Sequence, residues 1–386
     1  MKRNSERVSQ LKPSAIRKML ELSAQMKDVV HLEQGEPDFA TPRHILDAAK
    51  EAMEKGFTHY TDTNGTLELR EGVAQKLGRE NGIDVNPKTE VTITTGSQEA
   101  MLISALGFLN LGDEALIIDP YYPAYFEDTL LAQAVPVSVP LGSGNEYKME
   151  IDALESKISA KTKMIWFCNP SNPTGHVFTG QDLDIIAEVA RRHDLVVFVD
   201  EIYEKLIYDN AEHISLASLP GMSDRTITVN GFSKAYAMTG WRIGYVAAHE
   251  DLSAVLRTVH YYATLCPCAV SQKAALAALT GPQDCVEEML AEYRRRRELA
   301  LRELGKLEAL SYSVPRGAFY VFPDFSRYER SDEKLALDIL KQARVVTVPG
   351  SGFGKVGEGH LRISYSADYG LVEEGMKRIK GYLASL

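Results

Sequence analysis

The chain has 386 residues, 45% of them apolar and 25% charged, which suits two closely packed globular domains and excludes a disordered polymer. A net charge of −10 argues against nucleic acid as a partner, because a phosphate backbone rewards a basic face. No stretch reaches the roughly 18 apolar residues of a membrane-spanning helix, and no apolar core of a signal peptide follows Met1-Lys2-Arg3-Asn4-Ser5-Glu6-Arg7.

Residues 1–30 are polar and amphipathic, with Ile16, Met19, Leu20 and Leu22 at helical spacing. They are expected to form an arm that packs on the body or on a partner subunit. Between about residues 90 and 250, short apolar runs at 91–95, 115–118, 164–168, 195–199 and 226–229 alternate with helical stretches such as 99–109 and 183–193. Strands that are apolar on both faces and separated by helices predict an α/β fold, a mostly parallel central sheet covered by helices on both faces. Residues 284–303 read as one long charged helix containing Arg294-Arg295-Arg296-Arg297. With Glu287, Glu288, Glu292 and Glu298 nearby, this run is expected to be a solvated helix face rather than a nucleic-acid site. Strand-like segments at 317–322, 345–348 and 361–365 and a closing helix at 371–383 predict a smaller α+β domain. Four cysteines (Cys168, Cys266, Cys268, Cys285) without a CxxC spacing suggest reduced, mostly buried thiols in a cytoplasmic protein. The nine histidines form neither HExxH nor a Cys/His cluster, so no metal site is expected.

Four places carry chemistry. At Thr94-Thr95-Gly96-Ser97-Gln98-Glu99-Ala100 an apolar strand runs into a helix whose N-terminus offers free N–H groups to an anion, phosphate being the natural ligand, although a simple turn reads the same way. Asn169-Pro170-Ser171-Asn172-Pro173-Thr174-Gly175 follows the run at 164–168, and its two prolines make a rigid loop where parallel sheets place ligands. In Val199-Asp200-Glu201-Ile202-Tyr203 the acid arrives from an apolar strand, so it requires a cation nearby unless it merely caps a helix. The run from Asn230 to Tyr245, NGFSKAYAMTGWRIGY, sets Lys234 among small and apolar residues, with Arg242 eight positions later. Such a lysine has its charged form disfavoured and becomes a nucleophile toward an aldehyde, while Arg242 suits a dianionic phosphate. Together they describe a cofactor that bears both an aldehyde and a phosphate.

TTGSQEA, NPSNPTG, VDEIY and GFSKAYAMTGWRIGY, in this order, resemble the class I/II aminotransferases, pyridoxal 5'-phosphate enzymes of fold type I. The likeness runs from Glu33-Gln34-Gly35-Glu36-Pro37-Asp38 to Gly359-His360-Leu361-Arg362-Ile363-Ser364 and is greatest to the bacterial and archaeal aspartate and aromatic aminotransferases. The resemblance implies that Lys234 carries the cofactor, Asp200 pairs with its pyridine nitrogen, and Tyr203 and Asn172 bond its phenolic oxygen. It implies phosphate binding by Gly96, Ser97, Gln98 and Arg242, with a hydroxyl from Ser233, and stacking of Tyr122 over the ring. Tyr60 matches a residue that reaches the phosphate of the neighbouring subunit, which implies a homodimer with shared active sites. Arg362, helped by the Gly35 backbone and Asn172, matches the clamp for the substrate α-carboxylate. Gly231 stands where many relatives carry a phosphate-binding serine, and Ser97-Gln98 where some aspartate-preferring relatives carry a lysine. The implied layout is an arm and part of the small domain at 1–45, a large cofactor-binding domain at 46–283 and a small C-terminal domain at 284–386.

The expected reaction is ping-pong transfer of an amino group from an L-amino acid, aspartate, aromatic or related, to a 2-oxo acid such as 2-oxoglutarate, with Lys234 as acid–base. A carbon–sulfur lyase of the same fold and a non-catalytic cofactor-sensing module stand as alternatives.

Overall fold

The computed structural model describes residues 4–11, 14–142 and 146–385. Seven strands form one sheet in the order Val91–Thr94, Gly244–Ala247, Thr226–Gly231, Val196–Asp200, Thr162–Cys168, Glu114–Asp119, Val135–Pro140. Gly244–Ala247 runs antiparallel to both neighbours, and all other pairings are parallel. Side chains alternate across a strand, so a run that is apolar at every position needs a core on each face. Leu116, Ile118, Ile165, Phe167, Val197 and Val199 enter one apolar cluster; the alternate residues Ala115, Ile117, Met164, Trp166 and Phe198 enter another. Helix Ser97–Phe108 contributes Ala100 and Ile103 to the second, and helix Gly180–Arg192 contributes Leu183 and Ile186 to the first. The expected α/β architecture is therefore present, with helices on both sides of a mostly parallel sheet.

Three short strands, Tyr320–Val321, Val348–Pro349 and Leu361–Ser364, make a small antiparallel sheet. Val30–His31 pairs in parallel with Val345–Val346, which ties the start of the chain to its end. The expected strand at 345–348 is thus two pieces serving different sheets, and only Tyr320–Val321 of 317–322 is laddered. Helices Glu6–Gln10 and Ala15–Ser23 lie in the arm, where Met19 is buried and Leu22 exposed.

Two expectations need correction. Arg294 and Arg295 are exposed, but Arg296 and Arg297, on helix Asp284–Leu304, are buried. Arg296 donates to Asp38 at 2.8 Å and to the Ser366 carbonyl at 2.6 Å; Arg297 pairs with Asp209 and donates Nε to the Pro315 carbonyl at 2.6 Å. Half of the run fastens the helix to the body instead of facing water, because each residue turns about 100° around a helix, so four in a row span both its exposed and its buried sides. The cysteines are all free thiols, yet only Cys168 is buried and Cys268 is exposed. Among the described residues no helix is long and apolar enough to cross a membrane.

Candidate active site

Strand register gathers the chemistry at one edge of the sheet. Asp200 ends its strand level with Cys168 and Val229, Gly231 pairs with Gly244, and Gly244 pairs on its other side with Thr94. The carboxyl ends of the parallel strands, where open α/β sheets hold ligands, therefore present Asp200, Lys234 and the Gly96 turn together. A cavity of about 410 Å³ opens there, with Gly35, Ser97, Gln98, Tyr122, Asn172, Asp200, Tyr203, Ser233, Lys234, Arg242 and Arg362 in its wall. Of the residues singled out from sequence, Gly96 lies just behind this wall against Arg242. Tyr60 does not line the cavity and is 85% exposed.

Lys234 donates from Nζ to the Gly35 carbonyl at 2.5 Å, with the Tyr203 and Phe319 rings 5.9 and 6.0 Å away. Burial pulls its ammonium down to about 8, against the opposing pull of Asp200 and Glu36. Asp200 is 3% exposed, and burial pushes its carboxyl up to about 6, opposed by its hydrogen bonds and by Lys234. Its Oδ1 accepts from the Ile202 N–H at 3.1 Å and its Oδ2 from the Tyr125 hydroxyl at 3.0 Å. A buried acid and a buried amine thus share one chamber.

The second feature is an anion cradle. Gly96, at φ 81°, caps helix Ser97–Phe108, and a Cβ built on it would meet Arg242 Nη2 at 2.8 Å. Glycine is required there both by the left-handed backbone and by the close approach of the guanidinium. Arg242 is itself left-handed, at φ 49°, and donates Nη1 to the Thr239 carbonyl at 2.8 Å. A helix N-terminus beside a guanidinium suits a dianion. The helix is anchored from below: Glu99 accepts from the Thr95 N–H at 2.5 Å and from His260 Nδ1 at 2.7 Å, while His260 Nε2 donates to the Thr63 carbonyl at 2.8 Å. Both imidazole nitrogens face acceptors; burial opposes a second proton on His260, but the hydrogen bond and charge of the Glu99 carboxylate outweigh it and raise the affinity for that proton.

Opposite the cradle, Arg362 is 1% exposed and donates Nη1 to Asn172 Oδ1 at 3.0 Å and Nη2 to the Glu33 carbonyl at 2.5 Å. Its guanidinium lies 4.4 Å from the Tyr320 ring centroid and 4.8 Å from that of Phe353. Arg362 Nε is buried with no hydrogen-bond partner among the described residues. A buried guanidinium with a spare N–H is a receptor for a carboxylate.

Sequence reasoning missed Tyr125 and Tyr320. The first bonds Asp200; the second shares a hydrogen bond of 2.8 Å with the Tyr203 hydroxyl and crowds Gly35 so closely that no side chain fits there. The tyrosine at 125 stands three residues after Tyr122, on helix Pro123–Leu131, and that spacing is the one sequence signal that it shares a wall with Tyr122. Ile16 and Leu20 of the arm also line the cavity, a position that their helical spacing left undetermined.

An aldehyde-seeking amine, an acid that lacks a cation, a cradle for a dianion and a guanidinium for a carboxylate form a donor set that fits pyridoxal 5'-phosphate and an amino acid. This is the site of a cofactor-dependent enzyme acting on amino acids. The family model for aminotransferase class I and II matches residues 27–379. The chain is 43% identical to aromatic-amino-acid aminotransferase 2 of Thermococcus litoralis and 43% identical to an aspartate aminotransferase of Pyrococcus abyssi, each over 98% of both chains. It is also similar to the crystal structure of an aromatic aminotransferase from Pyrococcus horikoshii, with a TM-score of 0.90, 44% identity and coverage of 96% of this chain and 99% of the other. The chain belongs to the class I and II aminotransferases. It is a pyridoxal-phosphate-dependent transaminase that exchanges amino groups between amino acids and 2-oxo acids.

Proposed function

We propose that the donor is an aromatic L-amino acid and the acceptor a 2-oxo acid. The observation that carries the donor is the cavity wall: among the described residues its lysines and arginines are Lys234, Arg242 and Arg362, each with a task, and the rest of the wall includes Ile16, Leu20, Met101, Tyr122 and Tyr320. A distal carboxylate finds no spare cation in that wall, whereas an aromatic ring finds apolar surface. The names of the relatives above support either an aromatic amino acid or aspartate. Adding single amino acids to the cofactor-loaded enzyme and following loss of its visible absorbance distinguishes them. Tyrosine and phenylalanine are expected to react at lower concentration than aspartate, and the reverse order overturns the aromatic assignment.

Bound, pyridoxal phosphate supplies an aldehyde for the amine and a ring that withdraws electrons. In this reading Arg362, steadied by Asn172, grips the substrate α-carboxylate next to the Gly35 backbone. Lys234 holds the cofactor between turnovers and, once freed, moves the proton at the α-carbon. Asp200, held by Tyr125 and the Ile202 N–H, keeps the ring nitrogen protonated, while Tyr203 and Asn172 face the phenolic oxygen and Tyr122 the ring. Gly96, Ser97, Gln98, Ser233 and Arg242 hold the phosphate. Borohydride reduction of the loaded protein followed by peptide mapping tests the central residue: the label is expected on Lys234 and absent from Lys234→Ala, which is expected to lose activity almost completely. A label on another lysine refutes the assignment.

The same proposal makes the enzyme a cytoplasmic homodimer in which Tyr60 serves the other subunit's phosphate. It divides each chain into a large domain at 46–283 and a small domain built from 284–386 with part of 1–45. The pairing of Val30–His31 with Val345–Val346 supports that division.

A further inference from the structure

Asp119 ends the strand Glu114–Asp119, is 0% exposed and has no ion-pair partner among the described residues. Its carboxylate is instead met by three donors: the Ser138 hydroxyl at 2.6 Å and the Lys355 N–H at 2.9 Å on Oδ2, and the Val356 N–H at 3.3 Å on Oδ1. Gly354, at φ 113°, lies so close that any Cβ there would overlap the carboxylate. Two residues on, the Tyr121 N–H donates to the Phe353 carbonyl at 2.8 Å. The segment from Phe353 to Val356 is therefore fastened from both ends to the stretch Asp119-Pro120-Tyr121. An amide at position 119 would serve less well, because it keeps one acceptor oxygen but turns an NH2 toward whichever of the Lys355 and Val356 N–H groups lies on its other side. That accounts for an acid buried without a cation, which would otherwise be costly.

The two sides of this fastening each lead to the active site. Tyr122, which lines the cavity, follows Tyr121 directly, and the Phe353 ring lies 4.8 Å from the Arg362 guanidinium. We propose that Asp119 is a positioning residue for substrate binding, fixing the distance between the cofactor-facing Tyr122 and the carboxylate-binding Arg362 by clamping the loop that carries Phe353. The proposal rests on the reading of Tyr122 and Arg362 given above.

The test uses the cofactor-loaded enzyme and two dead-end probes, 3-phenylpropionate and succinate, the frames of phenylalanine and aspartate without the amine. In Asp119→Asn and Gly354→Ala, the inhibition constant of whichever probe binds the wild type and the KM for the amino acid are expected to rise together by about tenfold or more, since misplacement by an ångström is costly at a binding site. Cofactor affinity and borohydride labelling of Lys234 are expected to match the wild type, and kcat to change less than KM. Ser138→Ala, which leaves both loop bonds intact, is expected to stay within about twofold in probe binding. An unchanged inhibition constant in folded Asp119→Asn, or a loss confined to kcat or cofactor affinity, overturns the proposal. Arg362→Lys separates the two levels: if it too leaves probe binding unchanged, the reading of Arg362 fails; if it alone weakens binding, only the role of Asp119 fails. Should Asp119→Asn not fold, Phe353→Leu decides, with weaker probe binding expected and unchanged binding overturning the idea.

Discussion

At the scale of single residues, Lys234 is governed by competition between burial, which disfavours its charge, and the carboxylates of Asp200 and Glu36, which favour it. Burial wins and brings the group to about 8. About one amine in ten is then neutral at pH 7, against fewer than about one in a thousand for an ordinary lysine near 10.4. Only the neutral amine attacks an aldehyde. The rate at which cofactor-free protein captures pyridoxal phosphate is therefore expected to climb with pH through a midpoint near 8. Stopped-flow absorbance between pH 6 and 10 checks this, and a rate still rising steeply through pH 10 would show an unperturbed lysine. Lys234 and Asp200 were legible in the sequence because each sits in a short run of unusual residues, and Arg362 because the resemblance to the family extends through Gly359-His360-Leu361-Arg362-Ile363-Ser364. Tyr125 and Tyr320 were not, because their hydroxyls meet Asp200 and Tyr203 across 75 and 117 positions of chain. Asp119 was equally silent: it is one acid before a proline until the fold brings Lys355 and Val356 to it.

At the scale of elements, the strand-to-helix turn at Gly96 shows how local backbone and remote charge combine. Its left-handed φ of 81° costs an L side chain roughly 1–2 kcal/mol, and a methyl group would also press on Arg242. Gly96→Ala is expected to weaken binding of pyridoxal phosphate about tenfold, or ~1.4 kcal/mol, by moving the guanidinium away from the helix N-terminus. Pyridoxal, which lacks the phosphate, is expected to bind the variant and the wild type alike. Equal losses for both ligands, measured by equilibrium dialysis, would place the damage outside the cradle. The apolar strands of the sheet interior were readable because both faces demand a core. Val135–Pro140 was not: it is an edge strand, partly exposed and bearing two prolines, which only an edge tolerates. Gly244–Ala247 was hidden for another reason: its first two residues close a motif read for its chemistry.

At the scale of the whole molecule, the cavity of one chain holds every residue assigned to ring, phosphate and carboxylate except Gly96 behind its wall and Tyr60. Tyr60 stands 85% exposed and Tyr262 84% exposed, large aromatic surfaces of the kind that mark contacts with other molecules. If Tyr60 completes the neighbouring site, the two sites of a dimer each draw residues from both chains. Lys234→Ala lacks the amine but still lends Tyr60; Tyr60→Ala lacks the tyrosine but keeps the amine. Each homodimer alone is expected to be nearly inactive at limiting cofactor. Unfolding and refolding an equimolar mixture makes about half of the molecules mixed dimers, each with one intact site, so about a quarter of wild-type activity is expected to return. Activity that stays at the sum of the two parents, in a mixture shown by mass spectrometry to contain mixed dimers, would mean that Tyr60 does not cross between subunits and that each chain completes its own site.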